Sequence, residues 1–171
     1  PEDMKRARPE KQIAFKFSLE EAVTVLKEIE WSESGATYTP IALIEPVRLA
    51  GTTVKRASLA NPNIIKALNL KIGSRVVVTK RGEIIPKIEA LAENPPNIKE
   101  IEYPDTCSVC GGPLTNEGTR LYCPNMSCPK LIHHRIEKWI NVLDIRDFGI
   151  TLIKRLFEMG RVNSITDLYT L

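Results

Sequence analysis

The stretch CSVCGGPLTNEGTRLYCPNMSC, residues 107–128, contains all four cysteines of this 171-residue chain. The cysteines form a C-x2-C pair, twelve further residues, and then a C-x4-C pair. Four thiolates complete a tetrahedral zinc site and leave no coordination position open, so a site of this kind is structural rather than catalytic. The spacing therefore predicts a structural zinc site with four ligands, which are Cys107, Cys110, Cys123 and Cys128.

Two other arrangements are compatible with the same residues. The cysteines could pair as two disulfides, but paired C-x2-C-type spacing is typical of metal sites rather than of disulfide frameworks. His133 and His134 follow Cys128 by five and six residues, and either could replace one sulfur. Because four thiolates already complete the site, we expect both histidines to be solvated side chains of a helix.

Composition limits the classes of protein to which the chain can belong. Hydrophobic residues make up 43% of it, and its formal net charge is +3 at pH 7. No apolar run approaches the roughly 18 residues needed to span a bilayer. The lack of such a run, together with cysteines spaced as in metal sites, predicts a soluble cytoplasmic protein without a membrane partner. The small positive charge permits a nucleic-acid partner without requiring one, so the positions of the basic residues decide that question.

Upstream of the cysteines, the sequence predicts a small β-barrel. Period-two patterns of apolar residues predict five strands, at residues 23–31, 38–47, 52–57, 75–79 and 84–91. Asn61 and Pro62 predict the start of a two-turn helix closed by Gly73, and Arg81-Gly82 predicts the turn between the last two strands. The order strand, strand, strand, helix, strand, strand is that of an OB-fold, a barrel that commonly binds nucleic acids.

Two short elements are predicted ahead of this barrel. Ile13–Phe17 alternates as a strand, which points Lys16 away from the face of its large apolar residues. On this pattern alone Lys16 is an ordinary solvent-facing lysine. Ser18 and Glu21 have the spacing of a capping box, so a short helical turn is predicted at residues 18–21.

Basic residues concentrate at the predicted turns of the barrel. Lys55 and Arg56 end the third strand, and Lys80, Arg81 and Lys87 surround the last hairpin. The loops of OB-folds contact the phosphates of nucleic acids, so we expect these side chains to bind DNA. The alternative is that they are solvated loop charges.

Beyond the cysteines the pattern becomes helical. Residues 94–97 read as a linker into the cysteine segment. Apolar stripes then predict two helices, one along Leu131–Ile140 and one along Leu152–Phe157, joined by a short hairpin at residues 144–149. Gly160 ends the second helix, and Ser164–Asp167 reads as the cap of a third.

Several motifs in this order resemble those of the bacterial NAD-dependent DNA ligases. The resemblance covers nearly the whole chain from about Ile13 and rests on the following stretches: IAFKF at 13–17, TPIA at 39–42, EPV at 45–47, ASL at 57–59 with Asn61, RGEIIPK at 81–87, the four cysteines, Asp144-Ile145, Phe148-Gly149 and TDLY at 166–169. The resemblance implies a multi-domain fragment: an all-β OB-fold barrel, a small four-cysteine zinc finger and an α-helical helix-hairpin-helix segment. Its implied boundaries are 1–17 for the edge of a nucleotidyltransferase domain, 18–95 for the OB-fold, 96–129 for the zinc finger and 130–171 for the start of the helix-hairpin-helix domain.

The resemblance also implies a chemistry. Ligases of this family transfer AMP from NAD to a lysine, then to the 5′-phosphate of a nick, and release it as the 3′-hydroxyl attacks, with Mg²⁺ neutralising the phosphates. Lys16 looks like the lysine of the last nucleotidyltransferase motif, which contacts the AMP phosphate. Ser58 and Asn61 match residues of a DNA-contacting motif. The Lys-x-Asp-Gly motif of the nucleophilic lysine is absent from this sequence, so the chain alone is not expected to be active.

Four departures from the family pattern affect residues expected to touch DNA. Glu33 stands where an arginine is usual, and Ala60 stands where a histidine is usual. A basic pair is missing around Asn141-Val142, and Asp147 replaces a glycine of the hairpin. A reversal of charge beside phosphate is not conservative. These positions predict either a divergent grip on the nick or weakened sealing.

The function predicted from the sequence is the DNA-binding portion of a NAD-dependent DNA ligase, which seals nicks in replication and repair. Its predicted partner is nicked double-stranded DNA, and we expect a monomer. Zn²⁺ is the cofactor expected in this chain, with NAD and Mg²⁺ in the whole enzyme. The alternative is a non-catalytic OB and zinc module that binds nucleic acid or protein.

Overall fold

The computed structural model describes residues 20–80 and 85–171. Its strands are β1 (Glu20–Ser34), β2 (Thr37–Leu49), β3 (Thr52–Ser58), β4 (Arg75–Lys80), β5 (Lys87–Glu93), β6 (Thr115–Asn116) and β7 (Leu121–Tyr122). Its helices are α1 (Pro62–Ala67), α2 (Pro129–Val142) and α3 (Ile150–Glu158), followed by a 3₁₀ helix at Thr166–Tyr169.

The first five strands close into a barrel. β1 pairs antiparallel with both β2 and β4, β2 pairs with β3, and β4 pairs with β5. The ring is completed between β3 and β5 by one parallel pair, Ser58 with Lys87. The order around the ring is β1-β2-β3-β5-β4, with α1 between β3 and β4 in sequence. This arrangement confirms the predicted OB-fold.

A bulge in β1 lets this one strand serve two partners. The register with β2 shifts between Leu26 and Glu28. Leu26 turns away to exchange hydrogen bonds outside β2: its amide donates to the Ser74 carbonyl at 2.8 Å, and its own carbonyl accepts from the Gly73 amide at 2.7 Å. Gly73 has φ +101°, a conformation that favours glycine. Bulges of this kind bend a strand, which is how a long strand closes a small barrel.

The barrel encloses the main hydrophobic core. Alternating residues of the strands point inward, and Leu26, Ala42 and Val76 are completely buried. Leu59 and Ile65 add the segment after β3 and the helix α1 to the same cluster. The period-two patterning of the sequence is therefore realised as one buried face.

Backbone hydrogen bonds attach the cysteine segment to the barrel at β2 and at α1. β7 adds to the edge of β2 through the pairs Thr37 with Tyr122 and Tyr38 with Leu121. At the far end, the Asn63 amide of α1 donates to the Gly118 carbonyl at 2.9 Å. We call residues 105–128 the cysteine finger. The finger extends the sheet of the barrel and is hydrogen-bonded to α1.

The C-terminal helices enclose a small hydrophobic cluster of their own. Ile136 and Ile140 of α2 pack with Ile153 of α3 and with Val162, and all four are buried. The Asp167 carboxylate accepts hydrogen bonds from two amides just before the 3₁₀ helix. The helix-hairpin-helix assignment and the domain boundaries stay predictions. Among the residues that the structure describes, none of the helices has the length and apolar character needed to cross a membrane.

Three local predictions need correction or lie outside the described residues. The helical turn predicted at residues 18–21 is wrong for Glu20 and Glu21, which begin β1 because they pair with Lys80 and Thr79 of β4. The helix after Asn61 ends at Ala67, before Gly73, and β5 begins at Lys87 instead of the predicted residue 84. The predicted strand at 13–17 and the turn at Arg81-Gly82 lie outside the described residues.

Candidate metal centre and nucleic-acid interface

Two tight turns present the four cysteines. In the first, the Cys107 amide donates to the Gly112 carbonyl at 2.8 Å and the Gly111 amide donates to the Cys107 carbonyl at 2.9 Å. Gly111 takes φ +67°, which explains the glycine that follows Cys110. In the second, the Cys128 amide donates to the Asn125 carbonyl at 3.0 Å, and α2 begins at the next residue.

The four sulfurs converge on one point. Their Sγ atoms all lie within 4.8 Å of one another. Cys107 and Cys128 are separated by 3.9 Å, and Cys110 and Cys123 by 3.6 Å. A tetrahedral site with Zn–S bonds of about 2.3 Å has sulfur–sulfur edges of about 3.8 Å. The four cysteines are free thiols in this structure, so the alternative of two disulfides is not what it shows. The cluster could hold a metal ion.

Neither histidine belongs to this cluster within the described part of the chain. His134 is exposed on α2, as expected for a solvated side chain. The His133 side chain is only partly exposed, because its ring packs edge-on against Phe157 with centroids 4.3 Å apart. Its Nε2 atom is buried, and burial lowers the pKa of this side chain, with the charge of Lys154 acting in the same direction.

The thiols differ strongly in how easily they ionise. Burial raises the pKa of Cys107, but hydrogen bonds from the amides of Cys110 and Val109 and from the Tyr38 hydroxyl outweigh burial and bring that pKa down to about 6. Burial and the neighbouring sulfurs raise the pKa of Cys123 to about 12. One thiolate thus forms readily, and its charge opposes the next deprotonation. A dication among the sulfurs would remove that opposition.

Side chains from two other segments surround the first cysteine turn. The Tyr38 hydroxyl of β2 lies 3.5 Å from the Cys107 Sγ, to which it donates, and it accepts from the Ser108 amide at 3.1 Å. The Ser108 hydroxyl donates to the Glu33 carboxylate at 3.0 Å. The Lys130 ammonium binds the same carboxylate and lies 4.3 Å from the centroid of the Tyr38 ring. Sequence reasoning missed Tyr38, Ser108 and Lys130, because no local pattern links residues so far apart.

Three of the residues predicted to bind DNA lie near one another at the junction of β3, β4 and β5. Ser58 pairs with Lys87, which in turn pairs with Thr79, the neighbour of Lys80. The Lys80 ammonium donates to the Thr52 hydroxyl at 2.8 Å. The strand pairing therefore brings the backbones of Ser58, Lys87 and Lys80 together, while the Lys80 ammonium binds Thr52 at the other end of β3.

The remaining predicted contacts are less uniform. Lys55 is exposed, whereas Arg56 is bound by the Glu30 carboxylate at 2.7 Å. Asn61 caps α1 without a side-chain hydrogen bond, and its Oδ1 atom is buried and without a partner among the described residues. Lys16 and Arg81 lie outside the described residues.

Comparison with known proteins places the barrel in a family. Residues 23–98 match the family described as the NAD-dependent DNA ligase OB-fold domain. Over 171 residues the chain is 98% identical to a DNA ligase of Treponema denticola, covering 100% of this chain and 26% of that protein. It is 57% identical over 170 residues to a DNA ligase of Treponema pallidum, covering 99% of the chain and 21% of the relative. A DNA ligase of Sorangium cellulosum is 37% identical over 165 residues, which cover 96% of the chain and 24% of that relative.

The chain belongs to the family of NAD-dependent DNA ligases. It spans about a quarter of the length of the curated relatives it matches. The relatives match across the barrel, the cysteine finger and the C-terminal helices, so the resemblance is not confined to the OB-fold.

The structure gives physical meaning to three departures from the ligase pattern. Glu33, which stands in place of an arginine, is engaged inside the protein by Ser108 and Lys130. Those hydrogen bonds hold the pKa of the Glu33 carboxyl below its usual range despite partial burial. Ala60 and Asp147 have φ +59° and +66°, so both occupy the left-handed region that favours glycine.

Proposed function

We propose that this chain is the DNA-binding portion of a NAD-dependent DNA ligase. The whole protein would seal nicks in duplex DNA by adenylyl transfer, in replication and repair. The observation that carries this proposal is a closed OB barrel, matched to the ligase OB-fold domain over residues 23–98, whose first hairpin is continued by a four-cysteine finger. The barrel presents cations at one edge, and the finger fixes the start of α2 against that barrel.

The metal of the finger is proposed to be zinc, bound by Cys107, Cys110, Cys123 and Cys128. All four donors are sulfur, which excludes hard cations such as Mg²⁺ and Ca²⁺, and the spacing of the sulfurs fits tetrahedral coordination. When bound, zinc would supply a fixed link between the two cysteine turns, with no position left for substrate. The role of the finger is therefore mechanical.

The barrel is proposed to contact the phosphates and sugars of nicked duplex DNA. The side chains assigned to this surface are Lys55, Arg56, Ser58, Asn61, Lys80, Arg81 and Lys87. Lys80, Lys87 and Ser58 support the proposal best, because the strand pairing places their backbones next to one another. Arg56 would have to exchange the Glu30 carboxylate for a phosphate on binding.

Catalysis would depend on parts of the protein outside this chain. Lys16 is proposed to contact the AMP phosphate, as the family resemblance implies, where a cation offsets the charge of the transferring group. NAD and Mg²⁺ would bind with the domain that carries the nucleophilic lysine. We further propose that the protein acts as a monomer in the bacterial cytoplasm.

Binding of nicked and intact duplex DNA across a salt series tests this proposal. We expect salt-sensitive binding by the chain, and a Lys80→Ala/Lys87→Ala variant should bind more weakly with a shallower slope. Each lost phosphate contact removes about 0.9 from the slope of log K against log salt, so two contacts remove about 1.8. Lys99→Ala serves as the control, because Lys99 is an exposed lysine between β5 and the cysteine finger, beside Ile72 and Ile101.

Two results would count against the proposal. Equal slopes for the double variant and the Lys99→Ala control would remove Lys80 and Lys87 from the interface. A whole protein that binds nicked DNA but seals none of it with NAD would favour the non-catalytic OB and zinc module.

A further inference from the structure

The Tyr38 side chain is built into the base of the cysteine finger. Only 3% of the residue is exposed, although it lies on the second strand of the barrel. Its hydroxyl accepts a hydrogen from the Ser108 amide at 3.1 Å and donates its own toward the Cys107 Sγ at 3.5 Å. The same hydroxyl lies 3.3 Å from the Ser108 Oγ, so Ser108 approaches it with both its amide and its hydroxyl group. The buried ring leaves the Tyr38 hydroxyl little freedom to turn elsewhere.

The Glu33 carboxylate holds this arrangement from the tip of the β1–β2 hairpin. It accepts from the Ser108 hydroxyl at 3.0 Å, and Ser108 is the residue whose amide donates to Tyr38. It also binds the ammonium of Lys130, which lies over the Tyr38 ring at 4.3 Å from the centroid. One carboxylate thus restrains Ser108 and Lys130, which both contact Tyr38 from outside the barrel.

These contacts connect three distant segments of sequence. Tyr38 and Cys107 are 69 positions apart, and Glu33 and Lys130 are 97 positions apart. A hydrogen bond donated to a metal-bound thiolate stabilises its negative charge and fixes the direction of the sulfur. Losing an outer partner of this kind typically weakens metal binding about 10–100-fold.

We propose that Tyr38 is a positioning residue of the metal centre, and that Glu33 holds Tyr38 in place through Ser108 and Lys130. The inference rests on the metal site proposed above. It gives Glu33 a different task from that of the DNA-contacting arginine whose position it occupies. The hairpin tip and the metal centre then form one coupled unit, so that the metal orders the hairpin and the hairpin orients a metal ligand.

Competition for metal between the full chain and a chelator tests the role of Tyr38. Tyr38→Phe removes the hydroxyl and keeps the ring, and we expect Zn²⁺ affinity to fall about 10–100-fold. The matched control is Tyr122→Phe, because the Tyr122 hydroxyl bonds Glu117 at 2.9 Å instead of a sulfur. The control should stay within about twofold of the parent. With Co²⁺ in place of Zn²⁺, the thiolate-to-metal absorption should shift in Tyr38→Phe alone.

A second pair of variants tests whether Glu33 acts through Tyr38. Glu33→Gln removes the charge that binds Lys130 and should weaken metal binding by a smaller factor than Tyr38→Phe. If Glu33 acts through Tyr38, the combined variant should bind metal no more weakly than Tyr38→Phe alone. Losses that multiply would overturn the second half of the proposal.

The outcomes separate this inference from the proposal on which it rests. A parent chain that binds no metal would overturn the zinc assignment itself. A parent that binds one metal, with Tyr38→Phe and Tyr122→Phe equal in affinity and in Co²⁺ spectrum, would overturn the role of Tyr38 and leave the zinc assignment standing.

Discussion

The barrel and the cysteine finger are stabilised by different interactions. The barrel buries thirteen apolar side chains in one cluster, drawn from all five strands, from α1 and from the segments that follow β3, α1 and β5. The buried cluster of the finger consists of Ala36 and three cysteines, namely Cys107, Cys123 and Cys128. A fully buried aliphatic side chain contributes about 1.5–3 kcal/mol, so the barrel can be stable without help. In the finger the buried aliphatic side chain is Leu121, so apolar burial stabilises the finger far less than the barrel.

This difference in apolar burial indicates that the barrel is stabilised by its core, whereas the finger depends on its metal. In the finger, most of the backbone is irregular loop or turn, and its two short strands contribute only two residues each. Ordering that backbone costs about 1–2 kcal/mol per residue. The free energy of structural zinc binding, about 10–16 kcal/mol at neutral pH, is the largest single contribution available to offset part of that cost. We therefore expect metal loss to unfold the finger and leave the barrel folded.

Cys123→Ser should give the largest effect and tests this division directly. We expect zinc content to fall, and amide exchange protection to vanish in β6 and β7 while β4 and β5 keep theirs. The physical reason is that three sulfurs cannot complete the tetrahedral site. The measurements are metal analysis and hydrogen exchange on the same sample.

The control for this variant is Met126→Ser, which changes the same cysteine turn at an exposed position without removing a sulfur. It should keep both zinc and protection. Full zinc content in Cys123→Ser, or loss of protection in β4 and β5 as well, would break the comparison between the two regions.

Leu26→Ala probes the other side of the comparison. Leu26 is completely buried beside the bulge of β1, so its truncation leaves a cavity in the barrel core. We expect the free energy of unfolding to fall by about 2–5 kcal/mol, measured by denaturant titration.

Val23→Ala is the matched control, because Val23 lies on the same strand and is 54% exposed. Its effect should stay below about 1 kcal/mol. Zinc content at low denaturant should remain that of the parent in both variants. If metal release and barrel unfolding instead coincided in one transition in Leu26→Ala, the two regions would be one cooperative unit.

The sequence predicted the features that local patterns encode and missed the contacts between distant segments. Apolar alternation predicted the barrel strands because one buried face imposes period two on each strand, and cysteine spacing predicted the cluster because the sulfurs lie close in sequence. The capping box at residues 18–21 failed for Glu20 and Glu21, since pairing with β4 overrides a local helix signal. The bond between Glu33 and Lys130 could not be predicted, because its partners share no periodicity and meet only after folding.

Departures from the ligase pattern were visible in sequence, but their consequences were not. Glu33 suggested lost affinity for phosphate, whereas the structure shows a carboxylate satisfied within the protein. Ala60 suggested only a missing histidine, yet it occupies left-handed backbone at φ +59°. Backbone conformation at a non-glycine residue leaves no signature in composition, so such positions emerge only from the fold.

Asp147→Gly should have the smallest effect and extends the comparison to the C-terminal helices. Asp147 has φ +66° in the segment between α2 and α3, where a Cβ adds roughly 1 kcal/mol of strain. Glycine relieves that strain but loses about 0.5 kcal/mol through the entropy of the unfolded chain, so the net gain is about 0.5 kcal/mol. The helices share a cluster of only four fully buried side chains, so a gain of this size should be detectable as slower amide exchange in α2 and α3.

The reverse change supplies the control for this last prediction. Gly160 has φ +67°, and a Cβ there would meet no atom within 4 Å, so Gly160→Asp adds backbone strain without a clash. It should speed exchange in the same helices by about as much as Asp147→Gly slows it. Opposite shifts in the two variants would assign the effect to backbone conformation. A gain in Asp147→Gly with no loss in Gly160→Asp would assign it instead to removal of the carboxylate, and the helical segment would then be limited by charge rather than by its small core.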